Sequence, residues 1–339
     1  MSARRFAPVL ACLAWLAVSS SASAQVALPN DDCASPLALA GPGLHPLDTT
    51  FATTGTEGQN EAVCLEFAQT AIARDLWFTY VPATTGIIQV STCGLLPSGG
   101  GGSTDSKIAA YAAVACPIPG SALACNDDAF DCGAIPTFES SITVPSTCGT
   151  TYLFQVGQYP GSPFLPLLGQ FRVTEVGLAV CAGVPYCGGD GTSGACPCGN
   201  ESAAGLGQGC RNSSGNGARL AAIGTASVAA DDVVLNLTSL PIPPTVPSTV
   251  LFFQGTAQTS AAFADGRLCV GGSIVRLAIQ PYGGSIANYP GALGPRVSTR
   301  GLVPASGGTR HYQAWYRDAP GPCGTHSNLS NGVTISWAP

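Results

Sequence analysis

Fifteen cysteines in a chain of 339 residues constrain this protein more than any other feature of its sequence. One of them, Cys12, lies in an apolar stretch, residues 6–18, that follows Arg4-Arg5 and leads to Ala22-Ser23-Ala24. A charged start, an apolar segment and a small-residue site predict a secretory signal over 1–24, cleaved after Ala24. Arg4-Arg5 also fits a twin-arginine route, and Ala11-Cys12 resembles a lipoprotein site. The lipoprotein reading leaves only residues 6–11 as the apolar core, short of the roughly 7–15 residues a signal needs. Fourteen cysteines remain beyond the signal, and an even number in an oxidising compartment predicts seven disulfides. No later stretch approaches the roughly 18 unbroken apolar residues of a membrane span, so a secreted or extracellular protein is expected.

Cysteines and charges divide the chain at the same place. Residues 25–181 hold eight cysteines and 182–339 hold six, as two separately closed frameworks would require. The first half sets thirteen Asp and Glu against Arg74, Lys107 and Arg172, a balance of −10, whereas six acids and eight arginines leave the second at +2. A negative chain with few basic residues argues against a nucleic-acid partner. Each half is long enough to bury about 68–70% of its unfolded surface in one core.

Charged residues make up only 9% of the chain, while glycine (43) and proline (27) are abundant. Together with β-branched runs, this composition points to all-β domains with long loops. Alternating patterns predict strands over 75–81, 86–92, 107–112, 138–144, 151–156 and 170–175, then over 232–237, 249–254, 273–279, 309–317 and 332–337. The expected architecture is therefore two disulfide-bonded β-sandwich domains of jelly-roll type after the signal, 25–181 and 182–339. Residues 60–73 allow a short helix, and the glycine run 99–102 reads as a loop because no Gly-Lys-Ser/Thr follows it.

Several segments of the first half together carry a resemblance: Asn30-Asp31-Asp32-Cys33-Ala34, the strand 75–80, Val90-Ser91-Thr92-Cys93-Gly94, residues 105–111, Leu123-Ala124-Cys125-Asn126-Asp127-Asp128, and residues 150–157. This half resembles a module of secreted bacterial proteins similar to the pre-peptidase C-terminal domains. The resemblance implies a small β-sandwich used as a binding accessory, without a defining active site. The second half resembles a C-terminal module of secreted bacterial proteins, through Cys196-Pro197-Cys198-Gly199-Asn200, Arg300-Gly301-Leu302-Val303-Pro304 and the run 312–317. That likeness implies export and domain limits, with no activity attached.

The densest chemistry lies in Cys125-Asn126-Asp127-Asp128-Ala129-Phe130-Asp131-Cys132. Closed through Cys125 and Cys132, this loop would preorganise Asn126, Asp127, Asp128 and Asp131, with Asp105 on a nearby strand start as a further donor. Calcium takes about six to eight oxygens, and these side chains offer several, though not at EF-hand spacing. The competing reading is a turn whose Asp and Asn side chains bond their own backbone. Cys187, Cys196, Cys198 and Cys210 lack the paired knuckles of a zinc ribbon and read as disulfide partners.

On the 309–317 strand, alternation puts His311, Gln313, Trp315 and Arg317 on one face and Arg310, Tyr312, Ala314 and Tyr316 on the other. Aromatics beside arginines stack on sugars and grip acidic polymers. The plainer reading is one core face and one ordinary strand surface. Gly283-Gly284-Ser285-Ile286-Ala287 is the nearest approach to a nucleophile elbow, but Tyr289-Pro290 argues for a loop. His45, His311 and His326 sit in no recognisable base arrangement, and His-Glu-x-x-His is absent. Four Asn-x-Ser/Thr sites, at Asn200, Asn212, Asn236 and Asn328, would matter only in a eukaryotic secretory route. These features favour an exported, non-enzymatic binding or cell-surface accessory that contacts an extracellular polysaccharide or envelope component. A hydrolase with a spatially assembled site and a structural surface-layer component are the alternatives.

Overall fold

The computed structural model describes residues 28–339 apart from 97–103, 113–114, 131, 133–137, 163–164, 243–247, 292–293 and the side chain of Leu178. The signal segment, the 99–102 glycine run and Asp131 lie outside the described residues. The chain is nearly all β, as its alternating patterns predict.

The first half contributes β1 (Leu37–Ala38), β2 (Gly43–Asp48), β3 (Ala73–Tyr80), β4 (Thr84–Ser91), β5 (Ser106–Tyr111), β6 (Ala122–Asn126), β7 (Ser141–Ser146), β8 (Tyr152–Gln158) and β9 (Leu168–Val180). Apart from the β5-β6 hairpin, strands β2 to β9 alternate between two sheets, ordered β2-β9-β4-β7 and β3-β8-β5-β6, with β1 added in parallel at the β3 edge. That order is the eight-stranded jelly roll. Leu76, Phe78 and Tyr80 of β3 and Phe154 and Val156 of β8 face Ile88 and Val90 of β4 and Phe171 and Val173 of β9. Phe78 and Phe171 meet across the gap with ring centroids 4.8 Å apart.

The other face of the β3-β8-β5-β6 sheet is covered too. Trp77, Ala109, Tyr111 and Leu153 pack there with Cys33, Cys64 and Ile72. Double coverage is why β5 and β8 are buried at every position, where a one-sided sheet would alternate. Disulfides Cys33–Cys116 and Cys64–Cys125 hold this cover in place. The helix allowed over 60–73 reduces to one 3-10 turn, Ala62–Cys64, because Cys64 must turn inward to reach Cys125.

The second half contributes β10 (Val184–Tyr186), β11 (Arg219–Ile223), β12 (Val234–Thr238), β13 (Ser248–Gly255), β14 (Ala257–Phe263), β15 (Gly266–Gly271), β16 (Val275–Tyr282), β17 (Ala287–Tyr289), β18 (Gly308–Arg317), β19 (Ser327–Leu329) and β20 (Gly332–Trp337). A β10-β20-β18-β13-β16 sheet, joined by β19, packs on the smaller β11-β12-β17 sheet. Val250, Phe252, Tyr312 and Tyr316 of the large sheet meet Leu220, Leu235 and Tyr289 of the small one. This is a lopsided sandwich rather than a second jelly roll. The β14-β15 hairpin folds over the outer face of the large sheet, where Phe253, Val270 and Leu329 form a separate small core.

Among the described residues, no apolar core cluster includes residues from both halves. The halves are joined by polar contacts, including Gly224 N–H to Val180 O at 2.9 Å and Arg219 Nη2 to Thr147 O at 3.3 Å. Arg219 is buried at this junction, and burial lowers its pKa to about 10. No described helix is long and apolar enough to cross a membrane.

All fourteen described cysteines pair, and every pair lies within one half. One sequence expectation is overturned: Cys125 and Cys132 do not close a loop on each other. Cys125 lies within β6, opposite Ala109 of β5, and bonds Cys64, while Cys132 bonds Cys93 after β4. Strand pairing aims the two sulfurs at different neighbours, which spacing along the chain does not reveal. In the second half, Cys187 pairs with Cys269, Cys196 with Cys210 and Cys198 with Cys323.

Non-reducing peptide mapping is expected to recover Cys64–Cys125 and Cys93–Cys132 and no Cys125–Cys132 peptide. Replacing both Cys64 and Cys125 by Ser is expected to cost about 2–4 kcal/mol. At about 2–4 °C per kcal/mol for a unit of this size, Tm in calorimetry falls by roughly 4–16 °C.

Candidate functional site

Two places gather chemistry, one in each half. The first is the rim of the jelly roll where the β5-β6 hairpin brings separated acids together. Ile108 pairs with Asn126 in antiparallel register, so Asp105 just before β5 and Asp127-Asp128 just after β6 come to the same end. One carboxylate oxygen from each of Asp105, Asp127 and Asp128 lies within 4.8 Å of the other two.

A buried hydroxyl network fixes the base of this rim. Thr92, Ser106 and Ser140 are all fully buried, with Thr92 Oγ1 2.8 Å from Ser106 Oγ and Ser106 Oγ 3.0 Å from Ser140 Oγ. Ser140 Oγ donates to the carbonyl oxygen of Asp127 at 2.7 Å. Asp127 is 2% exposed, and its Oδ1 has no hydrogen-bond partner. A buried, unpaired carboxylate oxygen is expensive to keep ionised. Burial accordingly pushes Asp127 up to about 7 and Asp105 up to about 6.

Lys107, the only lysine of the chain, stands beside these acids on β5. Its ammonium donates to Gln69 O at 3.0 Å and lies 5.6 Å from the centre of the Tyr159 ring. Burial lowers its pKa, opposed by the negative charges of Asp127, Glu66, Asp105 and Asp128. Glu66 is the fourth acid at the rim, and its buried Oε2 is likewise unpartnered.

Asn126, expected as a donor, is used otherwise. Its Oδ1 accepts the Ser141 N–H at 2.9 Å and its Nδ2 donates to Asp128 O at 3.3 Å, so it shapes the turn instead of joining the acids. Asp131 lies outside the described residues. Lys107, Glu66 and the hydroxyl network carried no local sequence signal, because only strand pairing brings them to Asp127.

The second place is the outer face of the large sheet in the other half. Tyr312, Ala314 and Tyr316 of β18 enter the core, and Trp315 packs against the small cluster on the opposite face. Of the four residues expected to bind ligand, two are already engaged. Gln313, fully buried, accepts Cys269 N–H at 2.9 Å and donates to Arg267 O and Ser330 O, each at 2.8 Å. His311 Nδ1 lies 2.9 Å from Thr334 Oγ1, and burial lowers its pKa. Alternation assigns both residues to the outer face, but the β14-β15 hairpin covers that half of it.

Trp315 and Arg317 remain open to solvent, with the guanidinium carbon 6.0 Å from the centre of the indole ring. Beside them is an open groove of about 500 Å³ lined by Leu251, Phe253, Phe263, Leu268, Ile274, Arg276 and Trp315, among others. Exposed Phe263 and Ile274 and the exposed Arg276 form its upper walls. The signal missed in the sequence was the hairpin, whose β14 is exposed along its whole length and carries no amphipathic pattern.

The remaining candidates occupy structural roles. Ser285 lies between β16 and β17 with no helix after it, and its carbonyl accepts Leu240 N–H at 3.0 Å. His45 and His326 hydrogen-bond the carbonyls of Gly41 and Ala319. Asn200, Asn212 and Asn328 are buried, and their amides donate to backbone carbonyls around the cysteine-rich opening. They tie loops together and present no surface for a glycan.

No family model matches the chain, and no curated protein matches it. Among solved structures, it is similar to the tandem CBM22 domains of Paenibacillus barcinonensis Xyn10C at TM-score 0.20 and 11% identity, over 87% of this chain and 84% of that one. It is also similar to a GH2 β-galacturonidase from Eisenbergiella tayi at TM-score 0.18 and 8% identity, over 78% of this chain and 35% of the enzyme. The chain thus spans about a third of that enzyme's length, and likenesses this distant carry no functional argument.

The buried acids set the pH dependence of stability. Asp75, fully buried, is pushed up to about 6 by burial, against hydrogen bonds from Gln155 Nε2 at 2.9 Å and Gly55 N–H at 3.2 Å. A carboxyl whose folded pKa is raised holds its proton more tightly when folded. Its stabilising contribution is therefore complete below the unfolded value of about 3.8 and is lost as pH rises through about 6. With chelator present, Tm is expected to fall between pH 5 and pH 8, and Asp75→Asn to make that fall smaller.

Proposed function

We propose that the protein is an exported, non-catalytic binding protein that holds an acidic extracellular polysaccharide in the groove beside Trp315. The carrying observation is the half-exposed Trp315 indole on the floor of an open groove, with Arg276 in its wall and Arg317 against the ring. Sugar rings present C–H faces that stack on an indole, while guanidinium groups pair bidentately with carboxylates and hydroxyls. The groove lies on a sheet braced from behind by the core and overhead by the disulfide-bonded hairpin. A binding platform on rigid strands loses little entropy when it takes a ligand. In this reading the first half is the accessory β-sandwich that its sequence resembles, and the seven disulfides suit work outside the cell.

Affinity electrophoresis and calorimetry with polygalacturonate and a neutral β-glucan test the proposal. Retardation by the polyuronate is expected to exceed that by the glucan, and Trp315→Ala is expected to weaken binding at least about tenfold, or 1.4 kcal/mol. Arg276→Gln with Arg317→Gln is expected to remove the preference for the acidic chain and flatten its salt dependence. Binding unaffected by Trp315→Ala, or absent for both polymers, overturns the proposal.

A further inference from the structure

We infer that Asp105, Asp127 and Asp128 form a binding site for a calcium ion at the rim of the jelly roll. The inference stands on residues of the other half from the groove, so each reading can fail while the other stands.

A cluster of acids by itself says little, since exposed carboxylates often gather without an ion. Here the second observation is Asp127, which is 98% buried by its 2% exposure and carries a carboxylate oxygen with no hydrogen-bond partner. Its side chain is directed at the other two acids, since the three donor oxygens lie within 4.8 Å of one another. Folding has therefore carried an acid into the protein, held its main chain through Ser140, and left part of its acceptor capacity unused. Such a group calls for a cation.

Lys107 does not meet that need. One ammonium faces Glu66, Asp105, Asp127 and Asp128, and its donor is directed to the Gln69 carbonyl. With all four acids ionised, the rim keeps a net charge of about −3, and Coulomb attraction for a divalent ion grows as the surroundings become less polar.

The donors choose the ion. All three are carboxylate oxygens, with no histidine or free thiol in the described group, which disfavours zinc, copper and iron. Calcium accepts carboxylates in one- or two-oxygen fashion at about 2.3–2.6 Å, so two of its ligands stand at most about 5.2 Å apart, and three oxygens within 4.8 Å of one another can share one ion. Magnesium needs a near-ideal octahedron and gives up its water reluctantly. Binding would tie the start of β5 to the end of β6, adding an ionic link near the Cys93–Cys132 disulfide. Extracellular modules hold calcium at about 10⁻⁴–10⁻³ M, and affinity in that range is expected here.

Terbium, which replaces calcium and emits when excited through a nearby aromatic ring, reads the site directly because Tyr159 adjoins it. Full-length oxidised protein is expected to give sensitised terbium emission that millimolar calcium displaces and equal magnesium does not. Asp127→Asn and, at the less buried neighbour, Asp128→Asn are each expected to lower terbium affinity at least tenfold, whereas Asp48→Asn on the other sheet leaves it unchanged. Circular dichroism verifies that each variant is folded, and Asp128→Asn serves if Asp127→Asn is not. Calcium is also expected to raise the Tm of the wild type over that in chelator. Absent emission, emission equal in wild type and both rim variants, or displacement by magnesium as effective as by calcium overturns the inference.

Discussion

The structure depends on covalent closure of loops that its own composition cannot hold. With charges at 9% of residues and 43 glycines and 27 prolines, the chain has few ion pairs to spend and many flexible connections to order. Ordering each backbone residue costs about 1–2 kcal/mol, so long connections work against folding unless something shortens their freedom. The disulfides do that from both ends of the jelly roll. Cys33–Cys116 and Cys64–Cys125 fix the cover over one sheet, and Cys148–Cys181 fixes the last long strand to the end of β7. Without that cover Trp77, Tyr111 and Leu153 would face water, and the sheet carrying β5 and β8 would lose one of its two apolar layers.

Much of this was legible from residues alone, for a definite reason. Strands such as β4, β7 and β12 alternate because one face meets a core, and a period of two is visible without a structure. Cysteine parity in each half likewise follows from pairs that never leave their half. What escaped were the elements whose environment is set by others. β6 carries Cys125 and Asn126 in a strand that read as a loop, since its partner β5 lies outside its own sequence window. β14 is exposed throughout, so it has no pattern to read.

The candidate sites divide in the same way. Asp105, Asp127 and Asp128 were visible as acids near strand ends, and the β5-β6 register does bring them together. Asn126 looked equivalent to its neighbours, yet its carbonyl is aligned with the Ser141 N–H. Asn126 is the last residue of β6 and bonds the start of β7, whereas Asp127 and Asp128 lie beyond the strand, where their carboxylates come together with Asp105. On β18, alternation sorted inner from outer correctly, but it could not show that Gln313 would be clamped beneath a hairpin while Trp315, two residues on, stays open.

The two halves also pose an electrostatic question, because an acidic polymer would meet a protein whose first half carries −10. Net charge at a distance is a poor guide here. At physiological ionic strength the Debye length is about 8 Å, so exposed charges beyond that are largely screened. Arg276 lines the groove and Arg317 lies 6.0 Å from the centre of the Trp315 ring beside it, and the second half as a whole is at +2. On the proposed reading, the nearby guanidinium groups outweigh the distant acids. Much of the acidity of the first half lies elsewhere: Asp75 is buried and drawn toward its neutral form, and the acids of the β5-β6 rim face one another. The two proposals thus divide along the segregation of charge, the cation on the acidic half and the anionic polymer on the arginine-bearing half.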